Sequence, residues 1–318
     1  MAKDRLSLPL QGGLPPVGAV AGAVVEIACD ESGFSGTNLL DPVTPVITHA
    51  SVDLGVGAAA ALIAALRARF RYAPEELKSG RFLRSPQAST ALEWFLAGLT
   101  GQAHVHLVDK EYFLVTRIVD LFLAEPSYAA GTRLTQDQRP AALGLYRSRR
   151  SAGGDWARFL AAFVDLVRNK RQQRPDRRAV EQFFAARDAL SRAGPADGVL
   201  DGLSPGTVWA ILTRLFDDDR SIPPPLEPLL PALAETVLFW SGGKRQVLVV
   251  HDEQSALTAD RLRRLQQLFP LAGLVTVDSR DDPRVQVADL LAGVARRRPA
   301  HGPLQPFLSP ASLRDPGP

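Results

Sequence analysis

The sequence is poor in cysteine and has no long apolar run. Its 318 residues include one cysteine, Cys29, so an intramolecular disulfide is excluded. No apolar run approaches the ~20 residues of a transmembrane helix. The first residues also carry acid and proline where a signal peptide has its apolar core. We therefore expect a cytoplasmic protein with no membrane partner, and the sequence indicates no oligomeric state.

Lysine is scarce, and two common enzyme motifs are missing. The chain has 5 lysines against 32 arginines, and its formal net charge is only +3. Such a mildly basic balance does not by itself indicate nucleic acid. The scarcity draws attention to Lys78 and Lys110, which lie beside motifs described below. Neither G-x-x-x-x-G-K-[ST] nor G-x-S-x-G occurs, so P-loop NTPases and serine hydrolases lack their usual motifs.

What the sequence does contain is an alternation of strand-like and helical segments. Short buried runs predict strands at 24–29, 104–108, 247–250 and 274–277, and 45–54 is the expected hairpin partner of the first. Helical patterns at 57–70, 111–123 and 257–269 separate them. Ser85 followed by Pro86 predicts the start of another helix. This order indicates an α/β domain with some parallel strand pairing.

Between residues 147 and 240 the pattern becomes wholly helical. Four amphipathic segments, at 155–167, 179–190, 204–216 and 227–240, indicate a helical insertion between strands of the α/β core. We therefore predict five segments along the chain. They are an irregular N-terminal segment (1–22), the first part of the core (23–146), the insertion (147–240), the second part of the core (241–298) and a loose proline-rich tail (299–318).

The first part of the insertion concentrates positive charge. The candidate nucleic-acid-binding residues are Arg168, Lys170, Arg171, Arg174, Arg177 and Arg178. A run of this kind is either a solvated face of an arginine-rich protein or a phosphate-binding surface, and the sequence favours neither.

Aspartates follow the strand-like runs. Asp30, Asp109, Asp252 and Asp278 each come directly after a predicted strand. The carboxyl ends of parallel strands form the edge at which α/β sheets bind ligands. A single such aspartate is commonly a turn or cap residue. Several acids at one edge repel each other unless a cation neutralises them.

A further acid lies within a predicted helix. Asp282 as N-cap and Pro283 at the first helical position place Asp289 two turns inside. Asp289 shares a face with Gln286 and Gly293, in a helix that is otherwise largely apolar. An acid there needs a partner, a metal or water, and the alternative is exposure on the solvent side. With Asp30 and either Asp109 or Asp252, it would form a carboxylate cluster suited to Mg²⁺ or Mn²⁺.

Five short motifs together resemble a known family. They are A-C-D-E-S-G at 28–33, E-L-K-S-G at 76–80, V-D-K at 108–110, V-V-H-D-E-Q at 249–254 and V-Q-V-A-D-L-L-A-G at 285–293. They resemble a bacterial family known as domain of unknown function thirty-eight hundred. The resemblance implies a ribonuclease-H-like mixed sheet flanked by helices, with a metal-dependent nuclease site. In that fold the first strand supplies one acid, a neighbouring parallel strand a second and a C-terminal helix another.

The resemblance also implies roles for single residues. Those that it marks as catalytic are Asp30, Lys78, Asp109, Asp252 and Asp289. Asp30, Asp252 and Asp289 would bind Mg or Mn, and Asp109 is an additional or substitute ligand for Asp252. Lys78 would contact a phosphate or hold a carboxylate, unless it is an ordinary surface lysine. Residues expected to support the ligands are Glu31, Ser32, Glu253 and Gln286, of which Glu31 and Glu253 are alternatively solvated neighbours.

Three functions are compatible with these residues. The preferred hypothesis is a metal-dependent nuclease that hydrolyses phosphodiester bonds. The alternative is a non-catalytic module that binds nucleic acid or a protein through the basic insertion. A third is a metal-dependent hydrolase of a small phosphorylated molecule, which would have a narrow pocket in place of an open basic groove.

Overall fold

Five strands form one mixed sheet in the order β3-β2-β1-β4-β5. The computed structural model describes residues 23–34, 38–72, 77–168, 175–193 and 198–317. The strands are β1 (Val24–Ser32), β2 (Val46–Val52), β3 (Ala103–Asp109), β4 (Gln246–Asp252) and β5 (Leu271–Val277). β1 pairs antiparallel with β2 and parallel with β4, which pairs parallel with β5. The expected α/β class is confirmed, as is the hairpin between the first two strands.

Helices fill most of the remaining described chain. They are α1 (Val56–Phe70), α2 (Ser79–Phe82), α3 (Ala88–Ala97), α4 (Lys110–Phe122), α5 (Arg139–Arg147), α6 (Arg149–Ala152), α7 (Gly154–Arg168), α8 (Arg177–Ala193), α9 (Pro205–Phe216), α10 (Leu229–Ser241), α11 (Ala259–Leu268) and α12 (Pro283–Arg297). Two 3-10 helices cover Arg133–Gln138 and Gly302–Phe307. Within the described ranges, no helix combines the length and the apolar character needed to cross a bilayer.

The chain divides into two compact units. The first draws on the segments Met1–Phe34, Val46–Leu107 and Ala232–Ser312, and the second on Ser35–Pro45, Val108–Pro231 and Leu313–Pro318. The first unit holds nearly all of the sheet, with α1, α2, α3, α11, α12 and most of α10. The second holds α4 to α9, and in it α7 packs on α8 and α4 on α5. The five segments predicted from the sequence remain a prediction.

The central strand β1 is covered on both of its faces. On one face, which we call the α12 face, Ala28 belongs to the apolar core that α12 completes. There the Thr48 hydroxyl on β2 donates a 2.7 Å hydrogen bond to the Ala292 carbonyl of α12. The other face, which we call the α10 face, is covered by α10, whose Trp240 indole N–H donates to Ser51 Oγ at 2.8 Å. Because side chains alternate along a strand, neighbouring residues of β1 face different surroundings.

The strands extend further than the sequence predicts, so most of the aspartates lie within a strand and not after it. Pairing with β2 continues as far as Ser32, so Asp30 lies inside β1 and not after it. Asp109 and Asp252 are the last residues of β3 and β4. Of the four aspartates, only Asp278 directly follows its strand as predicted.

Two local predictions are wrong. The helix expected to begin at Pro86, with Ser85 as its N-cap, begins at Ala88, because the Ser85 hydroxyl accepts from the Gln87 N–H within the preceding turn. The tail expected to be loose is ordered, since Leu304 and Phe307 are buried in the core of the first unit. The Ser309 N–H also donates to the Val105 carbonyl of β3 at 2.8 Å. The predicted irregular segment 1–22 lies outside the described residues.

Candidate functional site

Asp30 and Asp252 lie at the same edge of the sheet. Cys29 and His251 are register partners on the parallel strands β1 and β4, so the following residues, Asp30 and Asp252, are at the same level. Asp30 is on the α12 face, and Asp252 Oδ1 accepts a hydrogen bond from the Ser279 N–H at 3.1 Å. Asp289 comes from α12, the helix that packs on this face. Three of the predicted acids therefore meet at one edge of the sheet.

The surroundings of Asp30 disfavour its charged form. The residue is 5% exposed. Burial raises its pKa to about 9, with further contributions from the charges of Glu31, Asp289 and Asp252. The Glu31 N–H, which donates to Asp30 Oδ1 at 2.7 Å, opposes this only in part. Asp30 therefore retains its proton at neutral pH unless a cation is supplied.

The carboxylates do not form a ready-made ligand set. Within the part of the chain that the structure describes, no three His, Cys, Asp or Glu side chains are grouped closely enough to hold a metal ion. Asp289 instead has a protein cation beside it, because Lys78 Nζ lies 3.1 Å from Asp289 Oδ2. The Asp289 side chain is 17% exposed and that of Lys78 57%. Asp289 is therefore partly buried against a cation and is not the freely exposed acid of the alternative interpretation.

Glycines let the matched motifs approach each other closely. A Cβ on Gly293 of α12 would lie 2.5 Å from Ser79 Cβ, so the K-S-G segment rests directly on that helix. The same Cβ on Gly293 would lie 3.9 Å from Ser32 Oγ of D-E-S-G, and Gly33 beside it has φ +90°. The ends of D-E-S-G, K-S-G and L-L-A-G are thus brought together, although they are far apart in the sequence. Glu76, the first residue of E-L-K-S-G, lies outside the described residues.

A pair of buried histidines occupies the α10 face behind this edge. His49 Nε2 lies 3.2 Å from His251 Nε2, and His49 Nδ1 lies 2.9 Å from Thr236 Oγ1. His251 Nδ1 is 2.9 Å from the Asp252 carbonyl, which can only accept, so this nitrogen carries the proton. With His251 in its neutral form, His49 Nε2 donates to His251 and Thr236 donates to His49. Burial and the nearby His251 lower the pKa of His49, which is consistent with this neutral chain.

Glu31 belongs to the histidine side and not to the carboxylate side. It is the register partner of His49 on the α10 face. Gln254 Nε2 donates to Glu31 Oε1 at 2.6 Å, and Glu31 Oε2 lies 3.9 Å from His251 Nε2. Its side chain therefore contacts Gln254 and His251, while only its backbone contacts Asp30.

The other residues expected to support the ligands have varied surroundings. Glu253 is exposed, and the described structure gives it no hydrogen bond, so it is a solvated neighbour. Gln286 Nε2 donates to the Arg280 carbonyl at 3.3 Å. Ser32 Oγ accepts from Arg296 Nε at 2.9 Å. Ser32 thus connects the end of β1 to the last turn of α12.

Asp109 has a capping role in the second unit. It is the N-cap of α4, where its Oδ1 accepts from the Tyr112 N–H at 3.0 Å. Its Oδ2 accepts from the Tyr146 hydroxyl at 2.5 Å. Since β4 is the parallel neighbour of β1, Asp252 fits the description of the middle acid, and Asp109 has other partners.

The predicted basic cluster is only partly described. Arg177 Nε pairs with Glu181 at 2.9 Å on α8, and the Arg178 N–H donates to Asp176 Oδ1. The side chains of Arg168 and Arg178 are exposed. Lys170, Arg171 and Arg174 lie outside the described residues. The described arginines of the cluster are thus all exposed, and Arg177 is paired with Glu181.

Comparison of the chain with protein-family models, with curated proteins and with solved structures finds no match. Function must therefore be argued from the positions and the chemistry of the side chains.

Proposed function

We propose that this protein is a metal-dependent nuclease that hydrolyses phosphodiester bonds on a ribonuclease-H-like core. The observation that supports it is the burial of Asp30 beside Asp252 and Asp289 at the carboxyl edge of β1 and β4. Such an edge is where α/β sheets bind ligands. The first strand, its parallel neighbour and a late helix supply the acids, as the family resemblance implies.

The donor set fits Mg²⁺ or Mn²⁺. Carboxylate oxygens are the ligands that these hard cations prefer. The high pKa of Asp30 reflects first its burial and then the negative charges of Glu31, Asp289 and Asp252, and a divalent cation would favour the ionised form. When bound, ions of this kind activate water and stabilise the leaving oxygen in phosphodiester hydrolysis.

The chain's own residues would hold and orient these groups. Asp30, Asp252 and Asp289 would bind the metal, with Asp252 oriented by the Ser279 N–H. Lys78 neutralises Asp289 in the protein without metal. From this position, its exposed ammonium can contact a phosphate of the substrate.

The first test is metal binding by calorimetry. Mg²⁺ and Mn²⁺ are titrated into the wild type, Asp30→Asn, Asp289→Asn and the control Glu253→Gln. We expect the wild type and the control to bind, and the two aspartate variants to lose at least tenfold in affinity because each removes a charged ligand. Thermal unfolding of all four proteins checks that the fold is retained.

Cleavage is then measured on DNA and RNA oligonucleotides, with the metal and with EDTA. Unchanged metal-dependent cleavage in both aspartate variants would contradict the proposal. Metal-independent binding without cleavage, abolished by neutralising Arg168 and Arg178, would favour the non-catalytic module instead.

A further inference from the structure

The last turn of α12 carries two adjacent arginines whose charge is not balanced by an acid. At the other end of the same helix, Arg284 lies 2.7 Å from Asp282 and 2.5 Å from Glu26. Arg296 has only the Ser32 hydroxyl as a hydrogen-bond partner among the described residues. Arg297 is exposed and has no hydrogen bond or ion pair among them. Positive charge is therefore concentrated at this end of the helix.

Both arginines lie against the motifs that build the carboxylate edge. Arg296 crosses Gly33, whose missing side chain leaves room for it, since a Cβ there would lie 2.6 Å from Arg296 Cδ. Arg297 passes Gly80, where a Cβ would lie 3.2 Å from its guanidinium nitrogen. Gly80 is two residues from Lys78, which pairs with Asp289. The two glycines thus allow the arginines to lie next to the candidate site.

The arginines are too far along the helix to share a phosphate with Asp289. Asp289, Gly293, Arg296 and Arg297 are spaced i, i+4, i+7 and i+8, which places them along one side of α12. Seven residues of helix correspond to ~10 Å. A group held at the arginines is therefore ~10 Å along α12 from one held at Asp289.

We infer that Arg296 and Arg297 form a binding site for backbone phosphates of a polynucleotide, ~10 Å along α12 from the bond held at the carboxylate edge. The position of the cleaved bond in this inference rests on the proposed function. The binding of phosphates by the two arginines does not. A phosphorylated molecule shorter than ~10 Å could not reach both places, whereas a polynucleotide can. The two positions therefore favour a nucleic-acid chain as the substrate.

The test compares two matched double variants. Arg296→Gln/Arg297→Gln removes the proposed site, and Arg263→Gln/Arg264→Gln removes an adjacent exposed pair from α11 in the same unit. Binding of a fluorescent 20-nucleotide single-stranded DNA is measured in EDTA, so that cleavage cannot interfere. We expect at least a tenfold loss of affinity in the first variant and less than twofold in the second.

The salt dependence gives a second readout. Loss of two phosphate contacts should reduce the slope of log K against log salt by about 1.4 for a single strand. Arg296→Lys/Arg297→Lys, which keeps the charge, should recover part of the binding, and thermal unfolding verifies each fold. Equal losses in both glutamine variants, or no loss in the first, would overturn the inference.

Failure of the inference can be distinguished from failure of the nuclease proposal. If Arg296→Gln/Arg297→Gln selectively loses DNA binding and the wild type never cleaves, the inferred phosphate site is supported and the nuclease proposal is rejected. If the protein cleaves in a metal-dependent way and Arg296→Gln/Arg297→Gln binds DNA unchanged, the nuclease proposal is supported and the inferred phosphate site is rejected.

Discussion

At the scale of single residues, the chemistry of Asp30 depends on its place inside a strand. If β1 ended at Cys29, Asp30 would be a solvated turn residue with an ordinary carboxyl group. Because β1 pairs on to Ser32, the side chain is instead buried beside other acids. Burial disfavours its ionised form, so the carboxyl keeps its proton in the folded protein without metal, and a bound cation would favour ionisation.

Asp30→Asn should stabilise the metal-free protein, increasingly so at high pH. The folded-state pKa of about 9 is above the ordinary value of 3.8, so folding retains a proton that the unfolded chain releases. The wild type therefore loses stability as pH rises between these values, whereas asparagine does not titrate. From pH 5.5 to 8.5 the difference in free energy of unfolding should grow by at most about 4 kcal/mol.

Urea unfolding in EDTA at the two pH values measures this difference. Glu253→Gln is the control, since this glutamate is exposed and should give nearly the same difference at both values. A constant difference between the wild type and Asp30→Asn would show that Asp30 ionises normally in the folded protein.

Part of the site was predictable from the sequence and part was not. Asp30 and Asp289 were predictable as candidates because strand ends and helix periodicity locate acids relative to the backbone, whereas Asp109 and Asp252 remained alternatives for the middle acid. The contact of His49 with His251 was not, because it joins β2 to β4 across β1. The Tyr146 hydroxyl on Asp109 was equally hidden, since it depends on tertiary packing. The signal for Arg296 and Arg297 was present as adjacent charges, but only the structure identifies their missing partners.

At the scale of elements, α12 organises the first unit. One of its sides packs on β1 and β2, and another packs against the short helix α2. Its start was predictable because Asp282 and Pro283 are strong local signals, and Asp282 does accept from the Arg284 N–H. The start of α3 was not, since Ser85 and Pro86 suit a turn as well as a helix N-terminus. A capping residue followed by proline therefore predicts the start of a helix only where the same residues do not suit another backbone conformation, such as a turn.

Gly293→Ala should destabilise the protein, although alanine is the better helix former. The added Cβ would lie 2.5 Å from Ser79 Cβ, and such overpacking costs typically about 1–3 kcal/mol. This outweighs the ~1 kcal/mol that alanine contributes through helix propensity. Denaturant unfolding measures the net change, expected to be a loss of up to about 2 kcal/mol.

Gly57→Ala provides the matched control, because nothing lies within 4 Å of a Cβ at that position in α1. It should be neutral or slightly stabilising. Ser79→Gly in the Gly293→Ala background should restore part of the loss. Additive effects of the two substitutions would mean that Ser79 is not the obstacle.

At the scale of the whole molecule, the first unit is assembled from separate segments of the chain. The stretch from residue 299 to residue 312 belongs to it, although its prolines suggest a loose tail. Leu304 is fully buried in the same apolar core as α12 and β3. The amino-acid composition of such a segment reflects mainly its exposed residues. It does not reveal the few apolar residues that are buried in the core.

Leu304→Ala should therefore lower the free energy of unfolding by about 2–5 kcal/mol, as a large-to-small change in a core does. Leu268→Ala, at a position that is 49% exposed, should cost less than about 1 kcal/mol. Chemical denaturation of both variants measures the contrast. Similar small losses would show that the segment contributes little to the core.

The alternation of β1 also limits how this protein can change in length. Asp30 faces α12 while Glu31 faces the histidines, so one strand serves two different environments. An insertion or deletion of one residue between Val24 and Cys29 would exchange the two faces for all that follows. Glutamate would then reach the carboxylate edge, and aspartate would meet the histidine pair. Natural or engineered length variation is therefore to be sought in the loops, because along this strand only substitutions preserve both surfaces.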